Sequence, residues 1–378
     1  MAKSKAKGKK ESATKKTNPK KAPHTPKKSR IVEITGPLTL AQARAMVQSQ
    51  PKSPKRAPRR RSLGNVAIES ASPGTVGAER KKLSLKNRRE NQRRIREYKA
   101  TLSLLKKHGV KGLMPKGSRR RTFGKGPIGT QAGQPLQIFA EGDSWFDYPV
   151  PFFGGGIIKR LEALVGVPIL NLAKAGDEVR FMMGVEERTL LADQLTKGCP
   201  AGGPWDVLLF SGGGNDVVDN PMALWIKDFD SSLSPADHIH QSRFDAILGI
   251  VRAGYEDLIA MRDKLSPSTH LVFHAYDFPI PDGRGICHLG PWLKPTFDVR
   301  GFPKSKIAFE VVKAMLQQFS ALLQSLVRPD VTFINAQGTL APVSSSWHNE
   351  LHPLKDGFQK FAKIFHQELK AKFPGRVL

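Results

Sequence analysis

The sequence predicts a three-layer α/β domain with about five parallel strands, preceded by a long basic arm. Charge divides the chain, because residues 1–130 contain 37 Lys and Arg against 6 Glu and no Asp, a net charge of +31. The remaining 248 residues contain 24 basic and 27 acidic side chains, a net charge of −3, so the whole chain carries +28. From residue 135 onward, short apolar runs alternate with segments of helical periodicity. This pattern is typical of parallel strands covered by helices on both faces.

The spacing of apolar residues predicts the individual strands and helices of this domain. Strands are expected at 136–140, 167–172, 206–210, 270–275 and 331–335. Helices are expected at 155–165, near 179–196, and at 241–263, 305–327 and 354–371. The order indicates a flavodoxin-like αβα sandwich over residues 135–378, whose ligand binds outside the carboxyl ends of the strands.

The basic arm is expected to have three parts. Residues 1–77 are rich in Lys, Pro, Ser and Arg and are predicted to be disordered, apart from a short helix after Thr39. Residues 78–108 are predicted to form one basic amphipathic helix. Its apolar face contains Ile95, Tyr98, Leu102 and Leu105. Residues 109–134, rich in Gly, Pro and Arg, are interpreted as a linker.

The charge of residues 1–130 indicates a polyanion as partner. Flexible Lys/Arg segments bind nucleic acids, anionic lipid surfaces and acidic polymers through counterion release, with little sequence preference. Tyr98 and Phe123 are the only aromatic residues in this part of the sequence, so base stacking is not indicated. A solubilising extension without a specific partner is the alternative.

Cysteine usage and hydropathy indicate a cytoplasmic protein. Cys199 and Cys287 form neither a disulfide framework nor a metal-binding pattern. The basic N-terminus lacks an apolar signal segment, and no run of 18 uncharged apolar residues occurs, so no transmembrane segment is expected. An acid-poor transit peptide has a similar composition and stays open. No metal is expected, because the histidine pairs have no acidic or Cys companion at metal-ligand spacing: His238 with His240, and His270 with His274.

The segments that follow the strands carry residues suited to acyl transfer. Ser144 comes at the turn after the first strand, where a hydroxyl is held clear of the sheet. His352 precedes the last helix and can serve as its base. Donors for an oxyanion are the backbone N–H groups of Ser144 and Gly176 and the side-chain amide of Asn215. Taken singly, these residues are also typical of helix caps and turns.

These segments resemble the four blocks of the SGNH (GDSL-type) hydrolases. Gly142-Asp143-Ser144 is similar to the first block, and Gly176 lies in the setting of the second. Gly213-Gly214-Asn215-Asp216 is similar to the third block, and His352-Pro353 to the last. The resemblance covers about residues 136–372 and leaves the basic arm outside. It implies a serine esterase, lipase or deacetylase that forms an acyl-enzyme and needs no cofactor. Ser144 is then the nucleophile, and Ser144, Gly176 and Asn215 form the oxyanion hole.

The chain departs from the family at one catalytic position. The family has Asp three residues before the histidine, and this sequence has Asn349. In a serine protease, the corresponding Asp-to-Asn change costs about 10⁴-fold in rate, largely through the wrong histidine tautomer. Asn349 can still orient His352 through its carbonyl, whereas the adjacent Glu350 is expected to point elsewhere. The alternative function is therefore a catalytically silent domain that binds nucleic acid or another polyanion.

Two further residues are candidates for substrate binding. Trp145 opens an aromatic run directly after the nucleophile, which can line an acyl pocket or pack in the core. Asp282 lies in the loop 278–285 after the fourth strand, which is long enough to face a substrate.

Overall fold

The computed structural model describes residues 36–49, 76–110, 134–148, 155–286, 289–303 and 306–378. The expected disorder of residues 1–77 and the expected linker at 109–134 fall mostly outside these ranges, as does Cys287. Of residues 1–130, which the sequence predicts to form a polyanion-binding arm, the structure describes only 36–49 and 76–110.

The core of the domain is a five-stranded, fully parallel sheet with the strand order β2-β1-β3-β4-β5. The strands are β1 Ile138–Gly142, β2 Ile169–Asn171, β3 Val207–Ser211, β4 His270–His274 and β5 Val331–Ile334. Every residue of β1, β3 and β4 is buried, because helices cover both faces of the sheet. This accounts for their unbroken apolar runs and confirms the predicted α/β class and all five strands.

The described residues form nine α-helices, and all the helices expected from the sequence are among them. They are α1 Leu40–Ser49, α2 Val76–His108, α3 Ile157–Val165, α4 Val179–Met182, α5 Val185–Lys197, α6 Gln241–Leu265, α7 Lys294–Val299, α8 Ile307–Gln324 and α9 Lys355–Lys372. The helix expected near 179–196 is divided in two because Gly184 is extended there. The short α7 was not predicted, since it begins inside a loop at Lys294-Pro295. No helix within the described ranges is both long enough and apolar enough to cross a membrane.

Helix α2 packs against the α/β domain beside β2. Tyr98, Leu102 and Leu105 are buried, and the Tyr98 ring lies 5.6 Å from the ring of Trp205. The sequence predicts this apolar face but not the surface that it covers. Helix α2 of the basic region is thus in contact with the domain that carries the candidate site.

Sheet register brings the polar segments together. Gly142, the last residue of β1, pairs with Ser211, the last residue of β3. A Cβ at Gly142 would lie 2.6 Å from the Ser211 carbonyl oxygen, so only glycine allows this approach. The turn after β1 therefore lies directly beside the glycine-rich segment after β3.

Candidate active site

Ser144 and His352 are in direct hydrogen-bond contact although 208 residues separate them. Oγ of Ser144 lies 2.6 Å from Nε2 of His352, and both residues are 7% exposed. Ser144 lies on the turn after β1, and His352 precedes α9. A buried hydroxyl paired with an imidazole is the basic unit of serine-type catalysis.

A buried network holds the turn of Ser144. The Asp143 carboxylate accepts the Trp145 N–H at 3.0 Å and the Ser211 hydroxyl at 2.9 Å, and it also accepts the Tyr276 hydroxyl. Nε2 of His274 lies 2.8 Å from the Ser211 Oγ. Burial raises the pKa of Asp143 to about 6, and these hydrogen bonds oppose that effect. The nucleophile's turn is thereby tied to the ends of β3 and β4.

The amide of Asn349 determines the tautomer of His352. Its Oδ1 accepts the backbone N–H groups of Leu351 and His352, each at 2.9 Å, and lies 3.0 Å from Nδ1 of His352. Two backbone donors identify this atom as oxygen, so Nδ1 of His352 must be the protonated nitrogen. Nε2 is then free to accept the proton of Ser144.

Tyr148 completes the surroundings of the imidazole. The Asn349 amide donates from Nδ2 to the Tyr148 hydroxyl at 3.0 Å, and that hydroxyl lies 3.0 Å from Nδ1 of His348. The Tyr148 ring also stacks on the His352 ring, with centroids 4.3 Å apart and planes at 24°. Neither role follows from the sequence, where Tyr148 is one of several aromatic residues after Ser144.

His352 is electrically neutral at physiological pH. Burial, together with the nearby His348, lowers the pKa of His352 to about 3. No carboxylate accepts a hydrogen bond from its ring within the described residues. The ring is thus neutral, and its charged form is disfavoured by burial and lacks the usual acidic partner.

Two of the three expected oxyanion donors, Ser144 and Asn215, line the same cavity, whereas Gly176 is not among the residues that line it. Asn215 donates one hydrogen of its amide to the Asp177 carbonyl at 2.8 Å, which leaves the second one for a ligand. Within the part of the chain that the structure describes, no acceptor receives the N–H of Ser144 or of Gly176. Gly176 is exposed and has a φ of 82°, the left-handed conformation that favours glycine.

The glycines after β3 allow close packing of protein side chains. A Cβ at Gly213 would lie 2.5 Å from the Phe319 ring, and one at Gly214 would lie 2.8 Å from the Tyr276 ring. These glycines make room for two aromatic rings next to the site, and Gly214 also lines the cavity that contains Ser144.

Buried acidic groups surround the second block. Lys174 pairs with Asp177 at 2.9 Å and with Glu187 at 2.6 Å. Burial raises the pKa of Glu141, the residue before Gly142, to about 8. Burial, followed by the influence of Glu187, also raises the pKa of Asp177 to about 8. Burial thus favours the protonated form of Glu141 and Asp177, while Lys174 opposes this effect at both groups.

Ser144, Asn215 and His352 line one small cavity of about 30 Å³. Space of this size holds on the order of two water molecules. Its walls are mainly apolar, and the residues that supply them are Trp145, Val218, Tyr276, Pro279, Leu316 and Leu351. The cavity suits a small acyl group beside the nucleophile.

Trp145 lines this cavity but is mainly a core residue. It is 5% exposed, and its ring contacts Trp347 and Phe361. Its Nε1 donates to the Leu351 carbonyl at 3.2 Å, which links the nucleophile's turn to the histidine segment.

Asp282 is not brought to Ser144. Its carboxylate accepts Nε of Arg284 at 2.8 Å and the Ser344 hydroxyl at 2.6 Å. It lines a separate cavity with Lys294 and Phe297. The path of the chain after Pro281 could not be predicted from the composition of the loop. The position of Asp282 does not support the substrate-binding role that the sequence suggested for it.

Glu350 points away from His352, as expected, and organises a neighbouring segment. Its buried carboxylate accepts four backbone N–H groups from 283–294, at distances of 2.5 to 3.0 Å. That segment carries Trp292, whose ring lies 6.1 Å from the His352 ring. Sequence reasoning missed this function, because the four donors converge only in the folded chain.

The described side chains contain no group of three or more His, Cys, Asp or Glu arranged to hold a metal ion. His238 instead contacts the Ser234 carbonyl at 2.9 Å, and His270 contacts the Thr332 hydroxyl at 2.8 Å. These histidines serve local structure.

Comparisons with known proteins find similar solved structures. No protein-family model and no curated protein sequence matches the chain. The lipase Lip_vut3 from a goat rumen metagenome is 14% identical with a TM-score of 0.41, and the match covers 61% of this chain and 96% of that one. An extracellular lipase from Streptomyces rimosus is 17% identical with a TM-score of 0.40, covering 61% and 99%. A carbohydrate acetylesterase from Sinorhizobium meliloti is 14% identical with a TM-score of 0.38, covering 63% and 100%. These similarities concern the path of the chain alone.

Proposed function

We propose that the chain is a serine-type hydrolase that cleaves acyl ester bonds through an acyl-enzyme. The observation that carries the proposal is the 2.6 Å contact between Ser144 Oγ and His352 Nε2, with Nδ1 of the same ring held by Asn349. A nucleophile, its base and the group that orients the base thus stand in one hydrogen-bonded row.

The reaction begins when Ser144 attacks the ester carbonyl carbon while its proton moves to Nε2 of His352. The oxyanion receives hydrogen bonds from the N–H groups of Ser144 and Gly176 and from the free amide hydrogen of Asn215. The C–O bond of the ester then breaks, and the alcohol leaves with the proton from Nε2. Water attacks the acyl-enzyme by the same route, with His352 again as base, and releases the acid and free Ser144.

Asn349 stands where the resemblance leads one to expect an aspartate. It lacks the negative charge of that residue but keeps the productive tautomer of His352. In the serine-protease case most of the loss of about 10⁴-fold comes from the wrong tautomer. Here the N–H groups of Leu351 and His352 hold Oδ1 toward Nδ1, so that loss does not arise. The Tyr148 ring, stacked on the imidazole at 4.3 Å, further stabilises the imidazolium by about 0.5–2 kcal/mol through a cation–π interaction.

The cavity favours short acyl groups. Val218 and Leu316 bound a space of about 30 Å³ beside Ser144. A methyl or ethyl group fits such a space. Acetyl and propionyl esters are therefore the proposed substrates.

The test compares wild type with Ser144→Ala and His352→Ala. Purified proteins are treated with a fluorophosphonate label and with nitrophenyl esters from acetate to palmitate. Wild type is expected to label at Ser144 and to turn over acetate fastest, and both variants are expected to be inactive. If wild type neither labels nor hydrolyses any of these esters, the enzyme proposal is wrong and the silent-domain alternative stands.

A second, separable property is proposed for the arm, which is binding of polyanions by residues 1–130. It rests on the net charge of +31 over these residues. The full-length chain with the 12 Lys and Arg of residues 1–30 changed to Gln is expected to elute from heparin at lower salt than wild type. Unchanged elution would contradict a role for this part of the arm.

A further inference from the structure

Arg94 of helix α2, which lies outside the resemblance, contacts two segments next to the candidate site. Its Nη2 donates to the Asp147 carboxylate at 2.6 Å. Its Nη1 donates to the carbonyl oxygens of Ala173 at 2.7 Å and of Asn171 at 3.2 Å. One guanidinium therefore joins two separate segments of the α/β domain.

Both segments belong to the proposed catalytic machinery. Asp147 lies on the nucleophile's turn, and its N–H donates to the Asp143 carbonyl at 3.0 Å. Asn171 ends β2, and Ala173 begins the short segment that leads to Gly176. Arg94 thus spans the two strand ends that supply the nucleophile and an oxyanion donor.

Helix α2 holds Arg94 firmly in this place. The Arg94 side chain is 20% exposed, and its Nε also donates to Glu90 at 3.2 Å. One turn further, Tyr98 is buried, and its hydroxyl lies 3.5 Å from the Cys199 Sγ. Thr101 is also fully buried on this face. A buried helix face anchors the guanidinium, and a planar donor fork that meets several acceptors is a geometry only arginine provides.

We propose that Arg94 is a positioning residue, which fixes the nucleophile's turn relative to the segment that carries Gly176. The proposal rests on the proposed function. Reactive groups must be held within about 0.5 Å of the productive geometry, and a misplacement of 1 Å costs about 100-fold in rate. Helix α2 accordingly contributes to catalysis through Arg94.

The test compares Arg94→Met with Arg93→Met on the same helix. Arg93 is 51% exposed and pairs with Glu90 and Glu97 of its own helix. Arg94→Met is expected to lower kcat by about 10- to 100-fold with little change in KM, and Arg94→Lys is expected to recover part of it. Arg93→Met is expected to match wild type. If Arg94→Met keeps kcat within about twofold of Arg93→Met, the positioning role is refuted.

A second readout does not depend on activity. Amide hydrogen exchange of peptides covering 143–148 and 171–177 is expected to be faster in Arg94→Met and unchanged in Arg93→Met. Unchanged exchange in Arg94→Met would overturn the proposal even if the chain is an esterase. If wild type hydrolyses no ester, the proposed function fails, while the exchange data still decide whether Arg94 holds the two segments.

Asp147→Asn covers the case in which Arg94→Met does not fold. The Asp147 side chain is 30% exposed, so this change removes the charge of the partner with little effect on packing. A lower kcat together with faster exchange in 143–148 supports the proposal. Wild-type values of both contradict it.

Discussion

The side-chain oxygen of Asn349 lies 3.0 Å from Nδ1 of His352 and accepts two backbone N–H groups at the same time. Three donors thus meet one fully buried neutral oxygen. The arrangement supplies the orientation that a catalytic carboxylate would give and omits its negative charge. Orientation and charge can therefore be separated by mutation at this position.

Asn349→Asp is expected to raise kcat/KM. The carboxylate would keep the three donors on one oxygen, and the Tyr148 hydroxyl would turn to donate to the other. A charged acceptor strengthens the hydrogen bond to the imidazolium by about 1–1.5 kcal/mol, which corresponds to about tenfold in rate. The exposed Asn335 provides the control, since Asn335→Asp adds the same charge away from the site. A slower Asn349→Asp enzyme would show that the neutral amide is needed.

The pH profile of wild type is expected to extend unusually far into acid. The base must be neutral to work, and burial lowers the pKa of His352 to about 3. The acid limb of kcat/KM, which reports the base in the free enzyme, should then lie well below pH 6.5. The acid limb can be measured as the rate of fluorophosphonate labelling from pH 4 to pH 8, with short exposures at each pH. A tenfold loss between pH 6.5 and pH 5.5 would contradict the low pKa, and the limb of Asn349→Asp should lie at higher pH than that of wild type.

The contributions of the Tyr148 hydroxyl and of the Tyr148 ring can be separated by mutation. Tyr148→Phe keeps the stacking on His352 but leaves Nδ2 of the buried Asn349 without this acceptor, at a cost of about 1–3 kcal/mol in unfolding free energy. Tyr148→Leu also removes the aromatic face, and kcat should fall by a further several-fold. Thermal unfolding and kcat of the two variants provide the measurement. Equal kcat in both would exclude a contribution from the stacked ring.

The sheet and the order of the candidate residues were predictable from sequence because they depend on local patterns. Strands buried on both faces read as unbroken apolar runs, as in Val207–Phe210. Parallel strands place their carboxyl ends at one edge, so Ser144 and Asn215 could be assigned to the same region before their contacts were known.

The supporting residues were not predictable, because each depends on the meeting of distant segments. The periodicity of α2 shows an apolar face but not that Arg94 reaches the strand ends. Glu350 is an ordinary charged residue in a turn until four N–H groups of 283–294 converge on it. Asp282, conversely, lies in a loop whose composition suits a binding site, but its carboxylate accepts hydrogen bonds from Arg284 and Ser344.

Glu141→Gln is expected to become more stabilising, relative to wild type, as pH rises from about 4.5 to about 8. Burial raises the pKa of Glu141 from 4.5 to about 8 in the folded protein. Between these values the folded chain holds a proton that the unfolded chain has lost, so wild-type stability falls as pH rises. Between pH 4.5 and pH 8, the unfolding free energy of wild type should fall relative to that of Glu141→Gln by on the order of 4 kcal/mol. Unfolding at pH 5 and pH 8 checks this, with the exposed Glu368→Gln as control; a constant difference would contradict the raised pKa.

Glu350→Gln is expected to loosen the segment that carries Trp292. The amide keeps one acceptor oxygen, but its NH₂ group faces two backbone N–H groups, such as those of Trp292 and Leu293. Two buried donors without an acceptor cost about 3 kcal/mol, or roughly 10 °C in Tm. KM should rise as well, because the Trp292 ring beside His352 is no longer held in place. Asp298→Asn removes an exposed carboxylate from the neighbouring α7 and serves as the control. A Glu350→Gln protein with the Tm and KM of that control would show that the carboxylate does not hold this wall of the site.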